Sequence, residues 1–168
     1  MAKKKSTGAG PKGSASAPAD AIALLEADHQ EVDEFFKQFE NASTDAVKKQ
    51  VARQICAALR VHAQIEEELF YPAARKATKD NDLLDEAIVE HAGAKILITE
   101  IEAMQPGMPL YDAKVTVLGE QIRQHVKEEE GELFPKVRGT KVDLVELGRK
   151  MALRKDELVE LLAAAALT

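Results

Sequence analysis

The chain contains one motif twice. Residues His62-Ala-Gln-Ile-Glu66-Glu67-Glu-Leu-Phe-Tyr71-Pro72 align without a gap on His125-Val-Lys-Glu-Glu129-Glu130-Gly-Glu-Leu-Phe134-Pro135. Histidine, a pair of glutamates, an aromatic residue and a proline recur at the same offsets, which marks two copies of one helical unit. A further histidine precedes each copy, in Asp28-His29 and Glu90-His91, and these four are all the histidines the chain has. A histidine and a glutamate four residues apart sit one above the other on a single helix face. Whatever fold this chain adopts must therefore bring together a pattern of His, then His-x-x-x-Glu, twice over.

Composition narrows the rest. At 168 residues the chain is long enough for one domain, and a domain of about 150 residues buries roughly 70% of its unfolded surface. Few aromatics and no tryptophan, with proline and glycine gathered at one end and at joints, favour an all-α fold. A net charge of −6 argues against nucleic acid as the main partner. The single Cys56 cannot form an intramolecular disulfide, so a reducing cytoplasm is expected, and among Ile55, Ala57 and Ala58 it reads as a small core residue. Lys3, Lys4 and Lys5 resemble the start of a signal peptide, but no apolar run follows them. No 18-residue apolar stretch exists, so no membrane partner is expected. Residues 1–18 read as a disordered basic tail, 19–138 as the folded unit and 139–168 as a C-terminal helix.

Within the folded unit, apolar residues recur at spacings of three and four. A first helix, N-capped by Asp20, carries Ile22, Leu25, His29, Val32, Phe36 and Phe39 on one stripe and ends near Glu40. A second, capped by Ser43 or Thr44, carries Val47, Val51, Ile55, Ala58, His62, Ile65 and Leu69, with Pro72 expected to bend or stop it. After the polar joint Lys79–Asp82, a third carries Leu84, Ala87, Ile88, His91, Ala94, Ile98 and Ile101. Pro106–Pro109 breaks the chain. A fourth helix carries Val115, Leu118, Ile122, His125, Glu129 and Leu133, and ends at Arg138-Gly139-Thr140. The last, from about Val142 to Leu167, is amphipathic through Leu144, Leu147, Met151, Leu158 and Leu161 and is expected to pack outside the bundle or on a partner. Four long helices with short joints predict an up-down-up-down four-helix bundle.

Each of the four helices contributes one histidine, and each falls on the apolar stripe. If about 0.4 of helical positions face a core, chance puts all four there roughly three times in a hundred. Glu66 and Glu129 share those stripes, where no lysine or arginine offsets them, and burying them alone would cost several kcal/mol each. A metal site removes that cost. His29, His62, Glu66, His91, His125 and Glu129 are its candidate ligands. Six imidazole and carboxylate ligands exceed what tetrahedral zinc needs, calcium and magnesium prefer oxygen, and the mixed set suits iron. Glu67 and Glu130 read as outer or solvated acids. Asp28 and Glu90 are placed to accept hydrogen bonds from neighbouring ligands. Tyr71 reads first as core packing, with a pocket hydroxyl as its second role.

These motifs, from Asp28-His29 through Glu90-His91 to His125-x-x-x-Glu129-Glu130 and Pro135, resemble the hemerythrin-like, or HHE cation-binding, family over about residues 20 to 138. The resemblance implies a four-helix bundle holding two non-haem iron ions, with Glu66 and Glu129 as bridging carboxylates. One position departs. Oxygen-carrying hemerythrins have His-x-x-x-His on the third helix, whereas Lys95 stands four residues after His91. That departure shifts the expectation from reversible oxygen carriage toward reaction with O2, hydrogen peroxide or nitric oxide, catalase-like turnover among them. The alternative is an iron- or oxygen-sensing module without turnover. A ferritin-like arrangement needs Glu-x-x-His on two helices. Glu26-x-x-His29 supplies it once, but Ile88 occupies the second glutamate position.

Overall fold

The structure, a computed structural model, describes residues 20–165; the tail expected over residues 1–18 and the end of the last helix beyond 165 lie outside the described residues. The first helix, α1 (Ala21–Glu40), starts where Asp20 accepts a hydrogen bond from the Ala23 amide at 2.8 Å. After a short turn, Thr44 caps α2 (Asp45–Ile65) by accepting from the Val47 amide. Asp143 does the same for the final helix, accepting from the Glu146 amide at 2.9 Å. Such caps satisfy amides that have no partner within the helix.

Pro72 does not end the second helix. Right-handed helical backbone continues from α2 through a wide π-helical turn (Glu66–Phe70) into α3 (Tyr71–Thr78). The same happens after α5 (Tyr111–Glu128), which passes through Glu129–Leu133 into α6 (Phe134–Arg138). In each wide turn an amide bonds five residues back, Tyr71 to the Glu66 carbonyl and Phe134 to that of Glu129. The following proline has no N–H, and its ring would collide with the carbonyl four residues earlier. An extra residue in the turn relieves that conflict while keeping the helix intact. It also seats Tyr71 above Glu66 and Phe134 above Glu129, because five residues now close one turn.

The remaining long helices are α4 (Asn81–Glu102) and α7 (Leu144–Ala165). Helices α1 and α2 pack together, as do α4 and α5, and the pairs meet through α2–α4 and α1–α5 contacts, giving the expected four-helix bundle. Gly119 lets the Phe36 ring lie directly on α5, since a Cβ there would stand 3.1 Å from it. Helix α7 lies outside the bundle across α1 and α2, burying Met151 and Leu158. Three residues expected on buried stripes are exposed. Ile88 (42% exposed) is displaced because α4 follows the strict series Leu84, Ala87, His91, Ala94, Ile98 and Ile101. Val47 sits in the first turn of α2, short of the core, and Leu161 lies beyond Leu158, the last buried residue described in α7.

The apolar core has two clusters. One gathers Ile22, Leu25, Ile65, Phe70, Leu84, Phe134 and Met151; the other gathers Val32, Phe36, Ile55, Leu59, Ile98 and Leu118. Between them lies a layer of buried polar side chains. No described helix is long and apolar enough to cross a membrane. Met151 is fully buried within the first cluster, so Met151→Ala should destabilise the chain by about 2–5 kcal/mol, read by denaturant unfolding. A loss below about 1 kcal/mol would show that α7 is not docked as described.

Candidate metal centre

All six candidate ligands meet in the polar layer, each at least nine-tenths buried, with Glu66 at 0% exposure. Helices α1 and α2 bring the Nε2 atoms of His29 and His62 to 3.2 Å; α4 and α5 bring those of His91 and His125 to 3.2 Å. The two carboxylates link these pairs. Glu66 Oε2 stands 3.2 Å from His62 Nε2 and 3.3 Å from His91 Nε2. Glu129 Oε2 stands 3.3 Å from His29 Nε2 and 3.4 Å from His125 Nε2. Each carboxylate therefore spans one imidazole of each pair. Two overlapping sets have donor atoms close enough for one cation: His29, His62, Glu66 and Glu129, and Glu66, His91 and His125.

An outer ring of carboxylates holds the far side of every imidazole. Nδ1 of His29 meets Glu130 at 2.9 Å, that of His62 meets Asp28 at 3.4 Å, that of His91 meets Glu67 at 3.0 Å and that of His125 meets Glu90 at 2.6 Å. Asp28 and Glu90 thus hold neighbouring histidines as the sequence predicts, and Glu67 and Glu130 lie in the same outer ring. An ionised carboxylate only accepts hydrogen bonds, so the proton of each neutral imidazole belongs on Nδ1. The Nε2 lone pairs then face one another across 3.2 Å. A cation between them, metal or proton, turns that repulsion into attraction.

The charges agree. Burial pushes the His62 imidazole down, but Glu66 and Asp28 outweigh it and raise it to about 10. Burial likewise opposes His125, and Glu129 raises it to about 9. Glu66, despite burial that favours its neutral form, is held well below the usual carboxylate range by His62 and His91. Burial and Glu66 push Glu129 up, and His125 and His29 more than offset them. Even so, Glu66 Oε1 and Glu129 Oε2 are fully buried with no hydrogen bond; Glu129 Oε2 is near two imidazoles without hydrogen-bonding geometry. Buried carboxylates with an oxygen left over, set among imidazole Nε2 atoms, are the donor set a metal ion requires.

Tyr71 turns out to be more than packing. Its hydroxyl donates to Glu129 Oε1 at 2.8 Å, and Glu66 Oε2 and His91 Nε2 lie at 3.3 and 3.2 Å. Burial and the two carboxylates raise its phenol well above the ordinary value, so it stays a neutral donor. At the equivalent position Phe134 stacks on His29, ring centroids 5.8 Å apart. The repeat already placed an aromatic there; the π turn that aims it at the glutamate was not legible. Cys56 is buried, and burial pushes its thiol up to about 12, which leaves it inert.

Beside the histidines lies a cavity with about 20 Å³ of room for the centre of a water-sized sphere. Its apolar wall includes Val32, Leu59, Ala94, Ile98, Ile122 and Val126. About 10–15 Å³ by this measure admits one water, so the space takes a molecule of a few atoms.

Raised imidazole values tie stability to pH. With unfolded values near 6.5 and folded values of about 10 and about 9, His62 and His125 stabilise the metal-free chain fully below pH about 6.5, and that contribution is lost as pH rises through 9 to 10. The Tm of the metal-free chain should fall steadily from about pH 7 to pH 10. A flat Tm over that interval would mean the imidazoles are not held protonated.

Comparison with known proteins places the fold and the family. A DNA nickase from Nostoc sp. is 29% identical over 115 residues, 68% of this chain and 32% of that protein, so the chain spans about a third of its length. The crystal structure of a hemerythrin HHE cation binding domain-containing protein from Mycobacterium kansasii superposes with a TM-score of 0.70, at 23% identity, covering 83% of this chain and 86% of that one. That likeness shows the shared helical-bundle fold. The family model of the hemerythrin HHE cation binding domain matches residues 20–137, the stretch that supplies every donor atom described above. The chain belongs to the hemerythrin HHE cation-binding family.

Proposed function

We propose that the chain is a non-haem di-iron protein that binds or reacts with a small oxidant, namely O2, hydrogen peroxide or nitric oxide. One observation carries this reading. Four Nε2 atoms and two carboxylates converge in a buried layer, each carboxylate spanning both imidazole pairs, while two of the carboxylate oxygens accept no hydrogen bond. His29, His62, His91 and His125 would each offer Nε2, and Glu66 and Glu129 would bridge. Iron suits mixed imidazole and carboxylate donors better than zinc or calcium does. Held there, it would supply reversible electron transfer to a small oxidant.

The protein's own residues do the rest. The outer carboxylates fix each ring on its Nδ1 side, so Nε2 points inward before any ligand arrives. The small apolar cavity limits access to molecules of a few atoms and excludes bulk water. Tyr71 holds a proton 2.8 Å from Glu129 Oε1 and so keeps that carboxylate oriented by a hydrogen bond. Lys95 replaces the second imidazole of the oxygen carriers and bonds Glu67, 2.6 and 2.7 Å from its two oxygens, so it supplies no donor to the layer. The shell is accordingly more open than a carrier's, which supports turnover of peroxide, catalase-like, over reversible carriage. A single buried cysteine supports a reducing cytoplasm. The DNA-nicking activity named for the Nostoc protein is not carried over, given the net charge of −6.

Protein grown with ample iron should contain two iron atoms per chain, and added hydrogen peroxide should release oxygen at an electrode. Bound iron with a spectral change but no oxygen would redirect the reading to a sensor. Among variants, Glu66→Gln should lose most of the iron, whereas Glu67→Gln should keep the greater part of it. Equal losses would undo the assignment of Glu66 as a ligand.

A further inference from the structure

The four outer carboxylates are not alike. Lys155 Nζ stands 2.5 Å from Asp28 Oδ1, and Lys95 Nζ grips both oxygens of Glu67. Glu90 and Glu130 have no lysine or arginine partner among the described residues. The longest contact to histidine belongs to a lysine-bound carboxylate and the shortest to a lysine-free one. The lysine-bound carboxylates stand 3.4 Å (Asp28 to His62) and 3.0 Å (Glu67 to His91) from Nδ1, and the lysine-free ones 2.6 Å (Glu90 to His125) and 2.9 Å (Glu130 to His29). The histidines on the lysine-bound carboxylates, His62 and His91, flank Glu66; those on the lysine-free ones, His29 and His125, flank Glu129.

We propose that Lys155 and Lys95 are positioning residues that share Asp28 and Glu67 with His62 and His91, weakening the two imidazole donors that flank Glu66. The inference rests on the reading of these histidines as metal ligands. A carboxylate on Nδ1–H pushes electron density toward Nε2 and strengthens it as a ligand. A lysine that shares the carboxylate takes back part of that push and adds a positive charge nearby. Both effects favour the reduced metal, and each imidazole pair contains one histidine that feels them. Lys155 comes from α7, outside the residues 20–137 that match the family, so the added helix reaches the centre through Asp28 and His62.

The test is the midpoint potential and visible absorption of the full-length, iron-loaded chain. Lys155→Met and Lys95→Met should each shift the midpoint to lower potential, and the double variant further. Lys155→Gln, which keeps a hydrogen-bond donor without the charge, should shift it in the same direction and covers the case in which the methionine variant fails to fold. Lys155→Arg and Lys95→Arg should keep the original midpoint. In an Asp28→Asn background, Lys155→Met should have a smaller effect, because only its charge and not its hold on the carboxylate is then lost. Lys136→Met, which breaks only the Lys136–Asp80 surface pair, is the control. Iron-loaded lysine variants with an unchanged midpoint, or a control that shifts as far, would overturn the proposal. Parent protein that takes up no iron would instead refute the metal reading, and this proposal with it.

Discussion

Four imidazoles and two carboxylates are withdrawn from water at one level of the bundle, and the rest of the structure accommodates that burial. Removing charged groups from water costs several kcal/mol each unless close partners compensate. Here the partners are the groups themselves, with Glu66 between His62 and His91 and Glu129 between His29 and His125. The compensation is incomplete, because Glu66 Oε1 and Glu129 Oε2 remain without hydrogen bonds. Apolar clusters above and below seal the layer, so its charges interact in a medium far less polar than water. A cation belongs there electrostatically before any question of function arises. In its absence, raised imidazole values let protons take the role.

The outer ring turns a cluster of donors into an oriented site. Each imidazole has a carboxylate of its own on Nδ1, supplied from a different helix, which fixes every ring against rotation. Lysines then divide the ring into two unequal halves. Tyr71 and Phe134, equivalent in the repeat, divide it again: a hydroxyl faces the carboxylates at one and a ring stacks on His29 at the other. A centre built from two copies of one motif is thus chemically asymmetric, as suits a ligand held at one end. The cavity beside it has room for a molecule of a few atoms.

Much of this was legible in the sequence, for physical reasons. Helical periodicity is strict in the core, so His29, His62, His91 and His125 could be placed on buried stripes, and the +4 spacing put Glu66 and Glu129 beside two of them. Asp28 and Glu90 precede histidines by one residue, which turns them toward the adjacent helix, where they meet His62 and His125. The illegible parts depended on tertiary geometry. Pro72 suggested a bend or an end, and the wide turns that let the helices pass Pro72 and Pro135 are a compromise no local rule foretells. Lys95 was visible as a missing histidine but not as the partner of Glu67, and Lys155 meets Asp28 across 127 residues of sequence. Ile88 was misplaced because one apolar residue beside a stripe looks like part of it.

The central claim, that these six side chains hold two bridged metal ions, is tested most directly by anomalous diffraction at the iron edge from crystals of the iron-loaded chain. Two peaks about 3.5–4 Å apart, each within bonding distance of one imidazole pair and both in contact with Glu66 and Glu129, are the predicted result. A single peak, or iron bound anywhere else with the six side chains hydrogen-bonded only to one another, would contradict it.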